Sequence, residues 1–138
     1  DTFPSRFREK MFTPQEIARS LRNFSAPYAH LAACFAAREA FFKATQVWYR
    51  RQKVSIRQYP SGEPYFLVHP LIAAQLAERY EQVWGRRPQS KALINLRVSL
   101  THDDTYCTAF AVLELLPPGT ALSIQHSGWQ VNNAGADL

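Results

Sequence analysis

Residues 28–50, YAHLAACFAAREAFFKATQVWYR, carry the pattern around which the rest of the chain is arranged. No glycine or proline interrupts this stretch, and its apolar residues recur at three- and four-residue spacing. The spacing predicts one long helix over 28–50 with an apolar face packed in the core. The residues predicted on that face are Leu31, Cys34, Phe35, Phe42, Thr45 and Trp48.

A shorter helix is predicted upstream, because the chain carries a complete N-terminal capping signal. Thr13 can cap the helix, Pro14 suits its first position, and Glu16 completes a capping box. This helix should extend to about Asn23. The serine, alanine and proline that follow indicate a turn before the long helix begins.

Downstream, the periodicity changes from that of a helix to that of strands. Residues 54–57 and 65–68 alternate on either side of the turn 60–64, which predicts a hairpin. A helix is predicted over 70–84, with proline at its start and glycine directly after its end. Segments 92–101 and 106–116 are rich in β-branched and aromatic residues, and their short link predicts a second hairpin.

These elements predict an α+β fold, with an antiparallel sheet packed against helices. The 138 residues fit a single domain over 1–138, with an ordered core at about 3–117 and a frayed tail over 118–138. No apolar run approaches the ~20 residues that span a bilayer, and no signal peptide is recognisable. The expected location is therefore cytoplasmic, without a membrane partner.

The chain is basic, with 16 Lys+Arg against 11 Asp+Glu and a net charge of +5. Such a surface attracts nucleic acid, phosphorylated small molecules or an acidic protein. The segment 48–53, WYRRQK, could stack on bases and hold phosphates, or could simply be the solvated end of the helix. Cys34 and Cys107 lack metal-type spacing and are interpreted as buried, reduced thiols.

Glu39 and Lys43 are four residues apart and so share one face of the long helix, beside Ala32 and Ala36. They could form a plain exposed ion pair, worth about 0.3–0.5 kcal/mol, or a site for an anion and a metal. His102 stands where a strand enters a tight turn, and could be functional or only part of the turn. Glycine-rich phosphate loops, dinucleotide fingerprints, nucleophile elbows and HExxH motifs are absent from the sequence.

Four stretches, in order, resemble one family: MFTPQEI (11–17), LAACFAAREAFFKA (31–44), SGEP (61–64) and VSLTHDDTYCTAFAVLE (98–114). The second resembles the signature F-x-x-K-E-A-x-x-K, and the fourth resembles an S-x-S-H-D strand. On these motifs the chain resembles the 4′-phosphopantetheinyl transferase superfamily, in particular its short, holo-acyl-carrier-protein-synthase-like class.

The resemblance implies transfer of 4′-phosphopantetheine from coenzyme A to a carrier-protein serine, with release of 3′,5′-ADP and with Mg²⁺ as cofactor. It implies Glu39 and Asp1 as metal ligands, and either Glu39 or metal-bound water as the base that deprotonates the serine. Lys43 would hold a phosphate as a point charge. The implied catalytic residues are Glu39, Lys43 and His102, and the implied cofactor-binding residues are Lys43, Arg38, Ser61, Gly62 and His102.

The implied partners are an acidic acyl or peptidyl carrier protein and further copies of the same chain, which would form a homo-trimer. The carrier would dock on a basic face predicted at Arg6, Arg8, Lys10, Arg19 and Arg22. The chain departs from the family pattern in three places. Only Asp1 can serve as the second metal carboxylate, so either that ligand lies upstream of it or the chain is an altered member of the family. Arg38 stands where the signature has Lys, and 44–48 continue the helix where the family has glycines.

Two other functions fit parts of the sequence. A non-catalytic, transferase-like scaffold domain of a synthase is favoured by the position of Asp1. A basic nucleic-acid-binding module would use Trp48, Arg50, Arg51 and Lys53, but it leaves Glu39 without a role. Mass spectrometry of a carrier protein separates the first from the enzyme, and salt-dependent oligonucleotide binding tests the second.

Overall fold

The structure of the chain is a computed structural model that describes residues 11–23, 27–102, 106–122 and 127–133. In these ranges the helices α1 to α3 and the strands β1 to β5 confirm the predicted α+β class. The helices are α1 (Pro14–Asn23), α2 (Pro27–Thr45) and α3 (Pro70–Trp84). The strands are β1 (Val54–Gln58), β2 (Pro64–Val68), β3 (Ile94–His102), β4 (Cys107–Leu115) and β5 (Trp129–Val131).

The strands form two sheets rather than one antiparallel sheet. In the first, β1 pairs with β2 antiparallel and β5 pairs with β2 parallel. The second is the β3–β4 hairpin, in which His102 lies opposite Cys107. Helix α2 lies mainly on β4 and β3, and also contacts β1 and α1. The long helix therefore packs against strands of both sheets.

Local capping chemistry sets the boundaries of α1 and α3 where the sequence predicts them. In α1, the Glu16 amide donates to Thr13 Oγ1 over 3.2 Å, and the Thr13 amide donates back to Glu16 Oε1 over 3.1 Å. In α3, His69 caps the N-terminus, since its Nδ1 accepts from the Leu71 amide at 3.1 Å. The helix ends at Gly85, whose φ of 74° is the left-handed conformation that glycine adopts without strain.

Helix α2 ends at Thr45, five residues before the predicted end at Arg50. Gln46 takes a left-handed conformation, with φ 57°, and its amide still donates to the Phe42 carbonyl over 2.9 Å. Thr45 Oγ1 donates to the Phe41 carbonyl at 2.9 Å and accepts the Val47 amide at 3.2 Å. The threonine side chain thus offers the backbone an alternative to continuing the helix.

The early end of α2 also changes the core. Trp48 was predicted to face the interior and is instead 55% exposed. Phe35 is only half-buried, whereas Leu31, Cys34 and Phe42 are buried as predicted. A residue beyond the last helical turn no longer follows the helical periodicity, which is why the prediction fails at Trp48.

Within the segment predicted to fray, residues Trp129–Val131 form the strand β5. Trp129 is buried, and its Nε1 donates to the Ile94 carbonyl over 2.8 Å. A Cβ at Gly128 would lie 1.8 Å from the Leu96 carbonyl oxygen, so only glycine permits this close approach of the backbones. Through Gly128 and Trp129 the tail completes the first sheet and contacts the second.

Both cysteines are free thiols. Cys34 is buried as predicted, and burial, with a smaller contribution from Glu16, raises the pKa of its thiol well above the usual range. Cys107 is only half-buried in β4. Within the described ranges, none of the helices combines the length and the apolarity that a bilayer span requires.

Candidate functional site

Glu39 and Lys43 occupy the partly open face of α2. Glu39 is half-buried, with its Oε1 atom shielded from solvent, and Lys43 is exposed one turn later. Ala32 and Ala36 on the same face are also half-buried. The predicted grouping of a carboxylate, a cation and small residues on one helix face is thus present, and a ligand could approach it.

Arg38, the residue before Glu39, points the opposite way, into the core. It is fully buried, and its guanidinium forms a salt bridge with the equally buried Glu16. Its Nε donates to the Val54 carbonyl and its Nη1 to the Met11 carbonyl, each over 2.7 Å. This placement is a correction to the predicted contact of Arg38 with coenzyme A, because all its nitrogens are engaged inside the protein.

Glu16 serves several partners at once. Besides the capping bond and the salt bridge to Arg38, its Oε2 accepts the Ile56 amide at 2.9 Å. The pair therefore fastens α2 to the start of α1 and to β1, which sets the rotation of α2 and with it the direction of Glu39. The sequence indicated only the capping box, since a capping glutamate and a long-range ion-pair partner look the same in a sequence.

His102 lies at the end of β3, on the hairpin that packs against α2. Its backbone is described but its side chain is not. Asp103 and Asp104, which the turn prediction involves, lie outside the described residues. The position at a strand end agrees with the sequence, and the contact of the imidazole with a phosphate stays a prediction.

Ser61 and Gly62 form the exposed tip of the β1–β2 hairpin, where the Gly62 amide donates to the Tyr59 carbonyl over 2.8 Å. Gly62 has a φ of 95°, so this turn needs glycine. The tip belongs to the first sheet, whereas α2 lies mainly on the second. The contact of Ser61 and Gly62 with coenzyme A stays a prediction, and Asp1 lies outside the described residues.

The described residues define a class: a small, basic α+β domain whose long helix carries a partly open carboxylate–lysine face. The model of the 4′-phosphopantetheinyl transferase superfamily matches residues 1–111. A holo-[acyl-carrier-protein] synthase of Cupriavidus taiwanensis is 36% identical over 117 residues, which are 79% of this chain and 74% of that protein. The corresponding enzyme of Hyphomonas neptunium is 33% identical over 124 residues, 85% of this chain and 82% of that protein.

Solved structures agree with this class. The crystal structure of holo-[acyl-carrier-protein] synthase from Neisseria meningitidis superposes with a TM-score of 0.62 at 27% identity, covering 81% of this chain and 82% of that chain. The Helicobacter pylori enzyme in complex with coenzyme A shares the fold, with a TM-score of 0.57 at 22% identity and coverage of 79% and 82%. The chain belongs to the 4′-phosphopantetheinyl transferase superfamily, which confirms the enzyme class that its sequence resembles.

Proposed function

We propose that the chain transfers 4′-phosphopantetheine from coenzyme A to a serine hydroxyl of an acyl carrier protein, with release of 3′,5′-ADP. The observation that carries the proposal is the Glu39–Lys43 face in a chain of this superfamily. Relatives named holo-[acyl-carrier-protein] synthase supply the carrier protein as acceptor. We place the reaction in the cytoplasm.

Magnesium is part of the proposal, and the donor set of this chain fits it. Mg²⁺ prefers oxygen ligands and is commonly held by one or two carboxylates together with substrate phosphates. Across the described residues, no three His, Cys, Asp or Glu side chains cluster as a protein-only metal site would require. Glu39 offers a carboxylate at the partly open face, while Glu16 is committed to Arg38, so Glu39 would hold the ion, with Asp1 as the proposed second ligand.

Bound Mg²⁺ would neutralise negative charge that develops on the pyrophosphate. Residues of the chain itself bind the phosphates and transfer the proton. Lys43 holds a phosphate oxygen as a mobile point charge, and His102 donates to a phosphate at the end of β3. The Glu39 carboxylate accepts the proton of the incoming serine. The serine oxygen bonds to the phosphorus that bears pantetheine, and the pyrophosphate bond to 3′,5′-ADP breaks.

An acidic carrier protein would meet a basic surface around α1. Arg19 is half-buried there and donates through Nη2 to Gln58 Oε1, which holds the middle of α1 to the end of β1. The side chain of Arg22 and all of Arg6, Arg8 and Lys10 lie outside the described residues. We keep this face as the proposed docking surface, because complementary charge speeds encounter with an acidic partner.

The outer face of the β3–β4 hairpin supports the proposed homo-trimer. Tyr106, Phe110 and Val112 alternate along this strand region and are 76%, 65% and 44% exposed. Contiguous apolar surface of this kind is typical of interaction sites.

Phe110→Glu should shift the chain to monomers at a concentration where the parent associates, because a charge cannot be buried there without a partner. Sedimentation velocity measures this, and Val83→Glu is the matched control, because Val83 on α3 is similarly exposed (59%). Unchanged association of Phe110→Glu would exclude this face.

The transfer reaction itself is tested by mass spectrometry. An apo carrier protein incubated with the full-length protein, coenzyme A and magnesium should gain one phosphopantetheine group on one serine, with equimolar 3′,5′-ADP in solution. A carrier whose serine is replaced by alanine is the control. A carrier that stays unmodified across several acidic carrier proteins would indicate the scaffold function instead.

A further inference from the structure

Trp48 is an exposed aromatic residue that the proposed reaction has not yet used. It follows the end of α2, and 55% of its surface is open to solvent. Its ring lies nearly parallel to that of the fully buried Phe42, with centroids 5.9 Å apart and an interplanar angle of 13°. The indole is therefore held in a fixed plane by the core while much of it faces water.

Two exposed cations lie within five residues of Trp48 along the chain. Phe42, on which the ring is stacked, directly precedes Lys43, and both Lys43 and Arg50 are exposed. The C-terminal end of a helix carries a partial negative charge, which repels an anion unless cations offset it. Lys43, the basic residue of the last turn, and Arg50 supply that offset. An exposed π-surface in a short segment that also carries two exposed cations matches a molecule that has both an aromatic ring and phosphates.

We propose that Trp48 stacks on the adenine base of coenzyme A and of the product 3′,5′-ADP, so that the segment after α2 is a nucleotide-base platform. The inference rests on the proposed function for the identity of the nucleotide. Aromatic side chains bind bases through their faces without reading base identity. The left-handed Gln46 starts this segment where the helix was predicted to continue, and it brings Trp48 back over Phe42.

Binding of 3′,5′-ADP to the full chain tests this platform, measured by calorimetry without carrier protein. Trp48→Leu should weaken binding about tenfold, which is within the range for loss of one stacked base. Trp48→Phe should retain most of the affinity, because a smaller ring still stacks. Trp84→Phe is the matched control, since Trp84 is also exposed (38%) and lies at the end of α3. Its affinity should equal that of the parent.

A second readout is specific to stacking. Titration with 3′,5′-ADP should quench the tryptophan fluorescence of the parent and of Trp84→Phe, and the quench should be lost in Trp48→Phe. Thermal unfolding of each variant shows whether the fold is intact. If Trp48→Leu does not fold, fluorescence quenching in Trp84→Phe still tests the platform, because this variant keeps Trp48.

The outcomes separate this inference from the proposed function. If the parent transfers phosphopantetheine but Trp48→Leu binds 3′,5′-ADP as tightly as the parent, or Trp48→Phe is still quenched like the parent, the platform is wrong and the transferase stands. If the parent neither transfers nor binds 3′,5′-ADP, both are wrong. If the segment binds single-stranded oligonucleotides with steep salt dependence and ignores 3′,5′-ADP, the platform is also wrong, and a nucleic-acid site replaces it.

Discussion

Arg38→Met is expected to lower the free energy of unfolding by about 3–5 kcal/mol, because it leaves the Glu16 carboxylate buried without its counter-charge. The two side chains are 1% and 2% exposed, so water cannot replace the lost partner. The Val54 and Met11 carbonyls lose their donors as well. Urea unfolding of the full chain, followed by circular dichroism, measures the change.

Arg87→Met is the matched control for this variant. Arg87 forms a salt bridge of 3.0 Å with Glu81, but these side chains are 58% and 46% exposed. Solvent screening limits such pairs to about 0–1 kcal/mol, so little change is expected. The double variant Arg38→Met/Glu16→Gln should recover part of the loss, since no unpaired charge stays buried. Equal, small losses in Arg38→Met and Arg87→Met would contradict the structural role of Arg38.

Glu39→Gln is expected to lower the turnover of phosphopantetheine transfer by roughly 100-fold or more, the equivalent of several kcal/mol of lost charge stabilisation. Glutamine keeps the shape and polarity of the side chain, and it replaces one oxygen of the charged carboxylate with a neutral amide nitrogen. Helical structure should persist, because both residues are good helix formers. Steady-state transfer kinetics with a carrier protein measure the effect.

Three comparisons make the result specific. Glu78→Gln, on the exposed side of α3, should leave turnover unchanged. Calorimetry should show that magnesium strengthens the binding of coenzyme A to the parent but not to Glu39→Gln. In the same measurement, Lys43→Ala should mainly weaken the binding of coenzyme A. If Glu39→Gln keeps most of its turnover and its response to magnesium, Glu39 is not the metal carboxylate.

The ends of α1 and α3 were predictable because capping is a local interaction. The Thr13–Glu16 capping box and the left-handed Gly85 both involve residues within a few positions of the helix end. The end of α2 was not predictable in this way. It depends on Gln46 in a conformation that glutamine rarely adopts and on the packing of Trp48 against Phe42, and no glycine or proline indicates either.

The residues of the candidate site also differ in how far the sequence predicted their positions. Spacing alone placed Glu39 and Lys43 on one face of a helix, and the structure has them there with partial exposure. Arg38 belongs to the same family signature as Glu39 and Lys43. Its partners, however, are Glu16, Met11 and Val54, which lie 16 to 27 positions away along the chain. A signature shows which residue types recur together, and it does not show which of them point inward.

By itself, the amino-acid sequence determined the α+β class, the family, most helix and strand positions, and the shared face of Glu39 and Lys43, because periodicity and capping act over a few residues. Only the tertiary structure decided that Arg38 is a buried ion-pair partner, that Trp48 is exposed, and that β5 joins the first sheet. Buried charges and strand pairs are satisfied by distant segments, and spacing along the chain contains no record of which segments meet.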